Sequence, residues 1–386
     1  MVLSAEEIRT RGHPVWAEID LGAIRDNVRT LRSAAASAQF MGVVKGYAYG
    51  HGNPQSARAM IEAGAARLGV ARLAEGIHLR ESGIEVPIHL FTEPPPGAVA
   101  ALIENQLTAT VYTGDFARAL SEYAERLDIR VPVHVKLDTG MHRVGILADD
   151  VPDALLELRS LPGLEIEGVW SHLAVADVPD HPHTRKQLDL FAELLDRIER
   201  TGLSIPYRHI ANSAATLSLP QSHYDLVRCG IAAYGLSPGR AFEVGFDLKP
   251  AMALRARVAM VKTVPAGDAL SYGLAYELDR AGGVVTIGSG YADGYDRRLS
   301  GRADVLIAGR RFKVSGTICM DQFMVDVGDE SVDPGAIVTL IGRDGAAAIT
   351  AEELAGLIGT INYEVTARVP SRVPRLYLGE VGRESA

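Results

Sequence analysis

The chain has 386 residues, 47% of them hydrophobic and 23% charged, enough for a large core and two domains. Its formal net charge of −9, with no basic run, argues against a nucleic-acid partner. No apolar stretch approaches the roughly 20 residues of a membrane span, and the charged segment 1–12 lacks a signal-peptide core, so a cytoplasmic protein is expected. Cys229 and Cys319 cannot build a disulfide framework and are expected to be reduced thiols; no Cys/His spacing predicts a metal site.

From Val15 to about Gly235, short apolar runs alternate with amphipathic helical patterns. The predicted strands are Val15–Ile19, Phe40–Val44, Arg67–Ala71, Ile88–Phe91, Thr108–Tyr112, Val131–Leu137, Glu165–Trp170 and Tyr207–Ala211. Helical patterns such as Leu21–Ala35, Asn53–Ala63, Leu73–Ser82, Asp115–Leu127, Val151–Ser160 and Thr184–Thr201 separate them. This α/β alternation predicts a closed (β/α)8 barrel of TIM type, with an open doubly wound sheet as the alternative. No GxGxxG opens the first helix, which weakens a Rossmann reading.

Beyond Lys249 the texture changes. Met252–Val264, Val284–Ile287, Val305–Ala308, Phe312–Ser315, Met324–Val327 and Ile337–Ile341 read as strands between Gly, Asp and Pro turns, so the C-terminal domain is mostly β. Thr350 followed by Glu353 predicts a capping box opening a helix over 350–358. The expected division is 13–245 for the barrel and 246–386 for the β domain, with residues 1–12 packing against the latter.

The segment Val43-Val44-Lys45-Gly46-Tyr47-Ala48-Tyr49-Gly50-His51-Gly52 carries the strongest chemical signal. A lysine at the carboxyl end of a buried strand sits where active sites form on this fold. Burial lowers a lysine's pKa, which suits Schiff-base chemistry. Gly50 and Gly52 would let backbone approach a bound group, and Tyr49 offers a hydroxyl. A snorkelling lysine before an ordinary turn satisfies the same segment.

Other predicted strands also end in polar residues, Lys136 to Arg143, Ser171-His172 and Asn212-Ser213, and the polar segment Arg228-Cys229-Gly230-Ile231 follows. In one barrel these ends face one mouth. Ser213, the amides of Gly230 and Ile231, and Tyr49 are donors suited to a phosphate. A phosphate site beside an activated lysine implies pyridoxal 5'-phosphate (PLP). The C-terminal domain adds Ser271-Tyr272-Gly273, Gly290-Tyr291-Ala292-Asp293-Gly294-Tyr295, Cys319-Met320-Asp321-Gln322, Ile361-Asn362-Tyr363-Glu364 and Arg372-Val373-Pro374-Arg375. Singly, Tyr272 and Tyr291 read as half-buried sheet aromatics.

Together these motifs resemble the PLP-dependent, fold-type III alanine racemase family, from Trp16 to Arg375. The resemblance implies a cofactor-binding (β/α)8 barrel, a C-terminal β domain, an amino-acid substrate and a head-to-tail homodimer with shared active sites. It implies Lys45 as the Schiff-base lysine, with Tyr272 of the partner subunit as the second base. Tyr49, Ser213, Gly230, Ile231 and Tyr363 are implied at the phosphate, beside Asn212. Arg228 is implied at the pyridine nitrogen and His172 beside the ring. Arg143, Met320 and Tyr291 match positions about the substrate, the last at the entrance with Asp177 and Arg297. Lys136 matches a lysine that family members can carry as a carbamate paired with Arg143. The implied activity is interconversion of L- and D-alanine, supplying D-alanine for peptidoglycan.

Two bases are needed because one alone returns the proton to the side it left. A tyrosine base needs neighbouring positive charge to work near neutrality, and His172 and Arg228 are expected to form a cationic network there. The chain departs from the family pattern at Gly46-Tyr47, Ala233 and Thr317, which bear on cofactor seating and substrate size. Alternatives are a racemase of relaxed or shifted specificity, towards serine or a larger amino acid, and a non-catalytic PLP-binding protein.

Overall fold

Most runs expected to be strands form, but the first joins a different sheet from the one its place in the chain suggested. In the computed structural model, which describes residues 4–10, 12–35, 37–239, 242 and 245–379, strand β1 (Val15–Asp20) pairs antiparallel with Met252–Val264 and parallel with Arg375–Leu378. It is therefore not a barrel strand, contrary to the sequence reading. Alternation marks a strand but not its partner. Here non-local contacts decide: Trp16 packs with Ile8 and Leu376, and Glu18 accepts a 3.0 Å bond from Arg255.

The barrel strands are β2 (Gln39–Val43), β3 (Arg67–Val70), β4 (Ile88–Leu90), β5 (Leu107–Val111), β6 (Val131–Asp138), β7 (Leu164–Trp170), β8 (Tyr207–His209) and β9 (Leu226–Cys229). They run parallel in the order β9-β2-β3-β4-β5-β6-β7-β8. Arg228 N donates to Ala211 O and Asp225 N to Arg208 O, both at 3.1 Å, joining the two ends of the sheet. The eighth strand is thus β9, and the open-sheet alternative falls. β3 and β5 are buried at every residue, as expected of strands covered on both faces. The helix Gly114–Arg126 shows how the outer layer attaches. Thr113 caps it by accepting from Phe116 N at 3.4 Å, and Phe116, Ala117, Leu120 and Ala124 form its buried stripe. No described helix is long and apolar enough to cross a membrane.

The chain divides into two compact units. Ile24–Ala48 and Asn53–Leu248 form the barrel unit, while Met1–Ala23, Tyr49–Gly52 and Lys249–Ala386 form the other, over their described residues. Residues 1–3 and 11, included in the expected N-terminal packing, lie outside the described residues. The second unit is a sheet ordered Arg310–Lys313, Asp304–Ile307, Ile337–Asp344, Met252–Val264, β1 and Arg375–Leu378, with Gly282–Ile287 also on Met252–Val264 and Phe323–Gly328 beyond it. Thr350 caps the helix Ala351–Ile358 through a 3.0 Å bond from Glu353 N. The predicted reciprocal half of the capping box does not form, because the Glu353 carboxylate turns to Arg311 at 2.6 and 2.9 Å.

Among the described residues of this unit, Gly50 and Gly52 leave the least room for a Cβ. A Cβ on Gly50 would lie 2.0 Å from Thr366 O, and one on Gly52 1.9 Å from the Tyr377 hydroxyl. Their φ angles are +88° and +96°. On their Cβ sides both glycines thus lie against the chain's own groups, Thr366 and Tyr377. Gly50→Ala should destabilise the fold by about 3 kcal/mol through overpacking and φ strain. Urea unfolding would measure this, and a change near zero would mean the approach is slack.

Candidate active site

Val44 N donates to Gly69 O at 2.9 Å, continuing the β2 pairing by one residue, and Lys45 follows at the strand's carboxyl end. The backbone then makes a left-handed turn. Gly46, Tyr47, Ala48 and Tyr49 have φ of +62°, +56°, +55° and +53°. Each non-glycine residue there costs roughly 1–2 kcal/mol, so neighbouring groups must hold the turn. Glu75 does so from the adjacent helix: it accepts from Gly46 N at 2.6 Å and from Ala71 N and Arg72 N at 2.9 Å. The Tyr234 hydroxyl donates to Val43 O at 3.0 Å. Burial lowers the Lys45 pKa; Arg143 and Arg228 lower it further, while Glu75 opposes. The amine is thereby brought closer to its neutral, nucleophilic form.

Arg228 is buried on β9 at 3% exposure. Its guanidinium donates to Ser171 O at 2.8 Å and Ile210 O at 3.1 Å, and faces His209 Nδ1 at 3.0 Å and His172 Nδ1 at 3.3 Å. Burial pulls its pKa down from the arginine range, but a guanidinium remains a cation at neutral pH. Burial, then Arg228, Arg143, Lys45 and Lys136, holds His172 well below the ordinary histidine pKa. His172 is therefore neutral, which corrects the expectation that it adds to a cationic network.

Lys136 lies near the carboxyl end of β6, buried, with Nζ 2.6 Å from Leu137 O and 5.0 Å from the Trp170 ring centroid. The following loop turns around Asp138, whose Oδ1 accepts from Gly140, Met141 and His142 amides at 2.9, 3.1 and 3.1 Å. Burial would raise the Asp138 pKa, but the amides and His142 outweigh it. The loop presents exposed Arg143, whose charge lowers the pKa values of both Lys45 and Lys136. Asn212 caps the short helix Ser213–Ser218, accepting from Ala215 N at 3.1 Å. Buried Ser213 Oγ takes Gly230 N at 3.0 Å, with Ile231 buried beside it. Ser213 Oγ thus accepts from this turn and keeps its hydroxyl hydrogen to donate.

The barrel unit therefore gathers Lys45, Lys136, Arg143, His172, Asn212, Ser213, Arg228, Gly230 and Ile231; it also holds Asp177. Tyr49, Tyr272, Tyr291, Arg297, Met320 and Tyr363 belong to the other unit. There Tyr49 and Tyr363 have ring centroids 6.0 Å apart. Tyr272 is 72% exposed and Met320 54%. Thr317 Oγ1 donates to Tyr272 O at 2.9 Å, and Ser271 Oγ donates to Thr317 O at 2.5 Å. The departure at Thr317 thus bears directly on the Tyr272 turn. Sequence reasoning missed Glu75, Trp170 and His209. Glu75 and Trp170 were hidden in ordinary helix and strand patterns, while His209 sits inside a predicted strand and was readable as a polar interruption.

The family model "Alanine racemase, N-terminal domain" matches residues 19–238, and "Alanine racemase, C-terminal domain" matches 251–377. The alanine racemase of Carboxydothermus hydrogenoformans is 45% identical over 367 residues, covering 95% of this chain and 100% of its own. That of Methanococcus maripaludis is 40% identical over 370 residues, covering 95% and 99%. The crystal structure of alanine racemase from D-cycloserine-producing Streptomyces lavendulae matches with a TM-score of 0.90 and 42% identity, covering 95% and 98%. The Bacillus anthracis alanine racemase structure with bound L-Ala-P matches with a TM-score of 0.90 and 38% identity, covering 96% and 97%. Barrel, β domain and relatives together define an isomerase acting on amino acids. The chain belongs to the alanine racemase family.

Burial, then the Arg228 cation, lowers the Lys136 pKa from 10.5 to about 7. Between those values the folded chain binds fewer protons at this site than the unfolded chain, so stability should rise with pH across that window. The rise should appear as a growing difference in unfolding free energy between wild type and Lys136→Met, measured in CO2-free buffer. A flat difference would contradict the lowered pKa of Lys136.

Proposed function

We propose that the protein interconverts L- and D-alanine with PLP bound as a Schiff base to Lys45, by a two-base mechanism. The observation that carries this reading is one barrel mouth holding a strand-end lysine of lowered pKa and a buried arginine. The donor set fits a phosphorylated pyridine aldehyde. Lys45 offers an amine for the aldehyde. Ser213 offers a hydroxyl donor for phosphate, and the resemblance adds Gly230, Ile231 and, in the other unit, Tyr49 and Tyr363. Arg228 offers only N–H groups to a ring nitrogen. The ligand of the Bacillus anthracis relative, L-Ala-P, supports an alanine-like substrate.

When bound, the cofactor supplies the electron sink that makes an amino acid's α-proton removable. Lys45 moves the proton on one face, that of the D-enantiomer, and the hydroxyl of Tyr272 moves it on the other. Arg143 orients the substrate carboxylate. Arg228 cannot accept a proton, so it leaves the facing nitrogen neutral. With that nitrogen unprotonated, a bound cofactor would be a weaker electron sink, so proton return by Lys45 or Tyr272 would outpace transamination. Lys136, as a neutral amine, can attack CO2 and lose a proton to give a carbamate anion for Arg143.

Exposure of Tyr272, with Leu274 at 70% and Met320 at 54%, supports a homodimer in which the partner subunit brings Tyr272 to this mouth. Tyr291 and Met320 are carried on the same edge, since Tyr291 N bonds Cys319 O at 3.1 Å and Ala292 N bonds Met320 O at 3.0 Å. D-Alanine for the cell wall is the product's proposed use.

In D2O the protein should exchange the α-proton of L-alanine and yield D-alanine, as followed by proton NMR and chiral analysis. Exchange of serine or a larger amino acid in preference would shift the reading towards Tyr47, Ala233 and Thr317 as specificity determinants. Tyr272→Phe should lower racemisation roughly 10²- to 10⁴-fold, yet preserve wash-out of the D-alanine proton by Lys45. Equal loss of both would count against two bases. Arg228→Glu should raise keto-acid formation from alanine. Unchanged keto-acid output would refute the role given to Arg228.

A further inference from the structure

A polar chain runs from Arg228 through the barrel core, away from Lys45. His209 Nδ1 lies 3.0 Å from Arg228 Nη1, and His209 Nε2 lies 2.7 Å from His134 Nδ1. His134 Nε2 lies 2.9 Å from Glu167 Oε2, and Arg67 grips that carboxylate at 2.6 and 3.1 Å. His134 and His209 are 0% exposed and Arg67 6%. Room for His134 exists only because residue 168 is glycine: a Cβ there would lie 2.6 Å from His134 Nδ1. Trp170 stacks on His209 with an interplanar angle of 1°, and Arg67 lies 4.3 Å from the Tyr207 ring centroid.

The ends of this chain fix its direction. A guanidinium only donates and an ionised carboxylate only accepts. Glu167 is ionised: burial opposes this, but His134 and Arg67 hold its pKa at about 2. Burial keeps both histidines neutral, lowering the pKa of each. His209 must then accept at Nδ1 and donate from Nε2, and His134 must do the same towards Glu167. One tautomer satisfies every pair. Without the Glu167 anion, His134 can present its proton to His209, and His209 would then turn an N–H against the Arg228 donors.

We infer that Glu167, with Arg67, is a positioning residue that acts through His134 and His209 to keep an acceptor facing Arg228, and so orients the guanidinium towards the cofactor ring. The inference rests on the reading of Arg228 given above. It makes this side of the barrel part of the cofactor site, although none of the four residues is placed at the cofactor itself.

The test uses full-length protein labelled with ¹⁵N-histidine, with and without PLP, read by long-range ¹⁵N–¹H NMR. Wild-type His209 and His134 should each carry one proton, on Nε2. Glu167→Gln should abolish the single tautomer at His209 and weaken PLP binding about tenfold, the lower end of what loss of an outer partner costs at built sites. Glu167→Gln strands Arg67, so Arg67→Met/Glu167→Gln, which removes both charges, should give the same pattern if the single variant does not fold. A proton on Nδ1 of wild-type His209, an unchanged pattern in the variants, or unchanged PLP affinity would overturn the inference. Failure of wild-type protein to bind PLP would instead overturn the functional reading, with the tautomer pattern still deciding the network.

Discussion

A guanidinium buried inside a barrel is the constraint around which the candidate site is arranged. An isolated cation cannot leave water without compensation. Arg228 obtains it from two strand-end carbonyls, Ser171 O and Ile210 O, and from the ring nitrogens of His172 and His209. Those groups come from different barrel strands, so the charge can be accommodated only after the barrel closes. The same cation lowers the pKa values of Lys45, Lys136 and His172. The lowered amine and imidazole pKa values thus follow first from the low-dielectric wall and then from two cations, Arg228 and Arg143.

The backbone beside it is also held under constraint. The left-handed turn after Lys45 contains three residues that are not glycine, and the Glu75 carboxylate meets its first amide. Such conformations persist where surrounding structure over-determines them. In the other unit, Arg372 joins Asp293 at 2.8 Å and Asp321 at 2.7 Å, so three sequence-distant motifs are one assembly. Gly290 fits beneath Met320, where a Cβ would lie 2.3 Å from the carbonyl oxygen. Those motifs are mutually fitted packing as much as chemistry.

Periodicity was sufficient for seven barrel strands and most of the β domain because each buries enough apolar surface to show a local pattern. It misassigned Val15–Asp20, whose alternation suits either sheet, and passed over Leu226–Cys229, a four-residue strand that includes a buried arginine. Lys45 and His172 were legible as polar residues at strand ends, and Arg228 through its motif with Gly230 and Ile231. Glu167 and His134 were not, because an acid or histidine within a strand reads as its solvent side until the facing residues are known.

Taken alone, the order of residues determined the barrel class, the β domain and the lysine that opens the site, since these depend on local periodicity and on motifs contiguous in the chain. Only the tertiary structure decided which sheet receives β1, that burial and Arg228 lower the His172 pKa, and that His209, His134 and Glu167 connect Arg228 to Arg67. Each of those depends on the burial and mutual distance of groups far apart in sequence: Arg67 and Glu167 are 100 residues apart and meet at 2.6 Å.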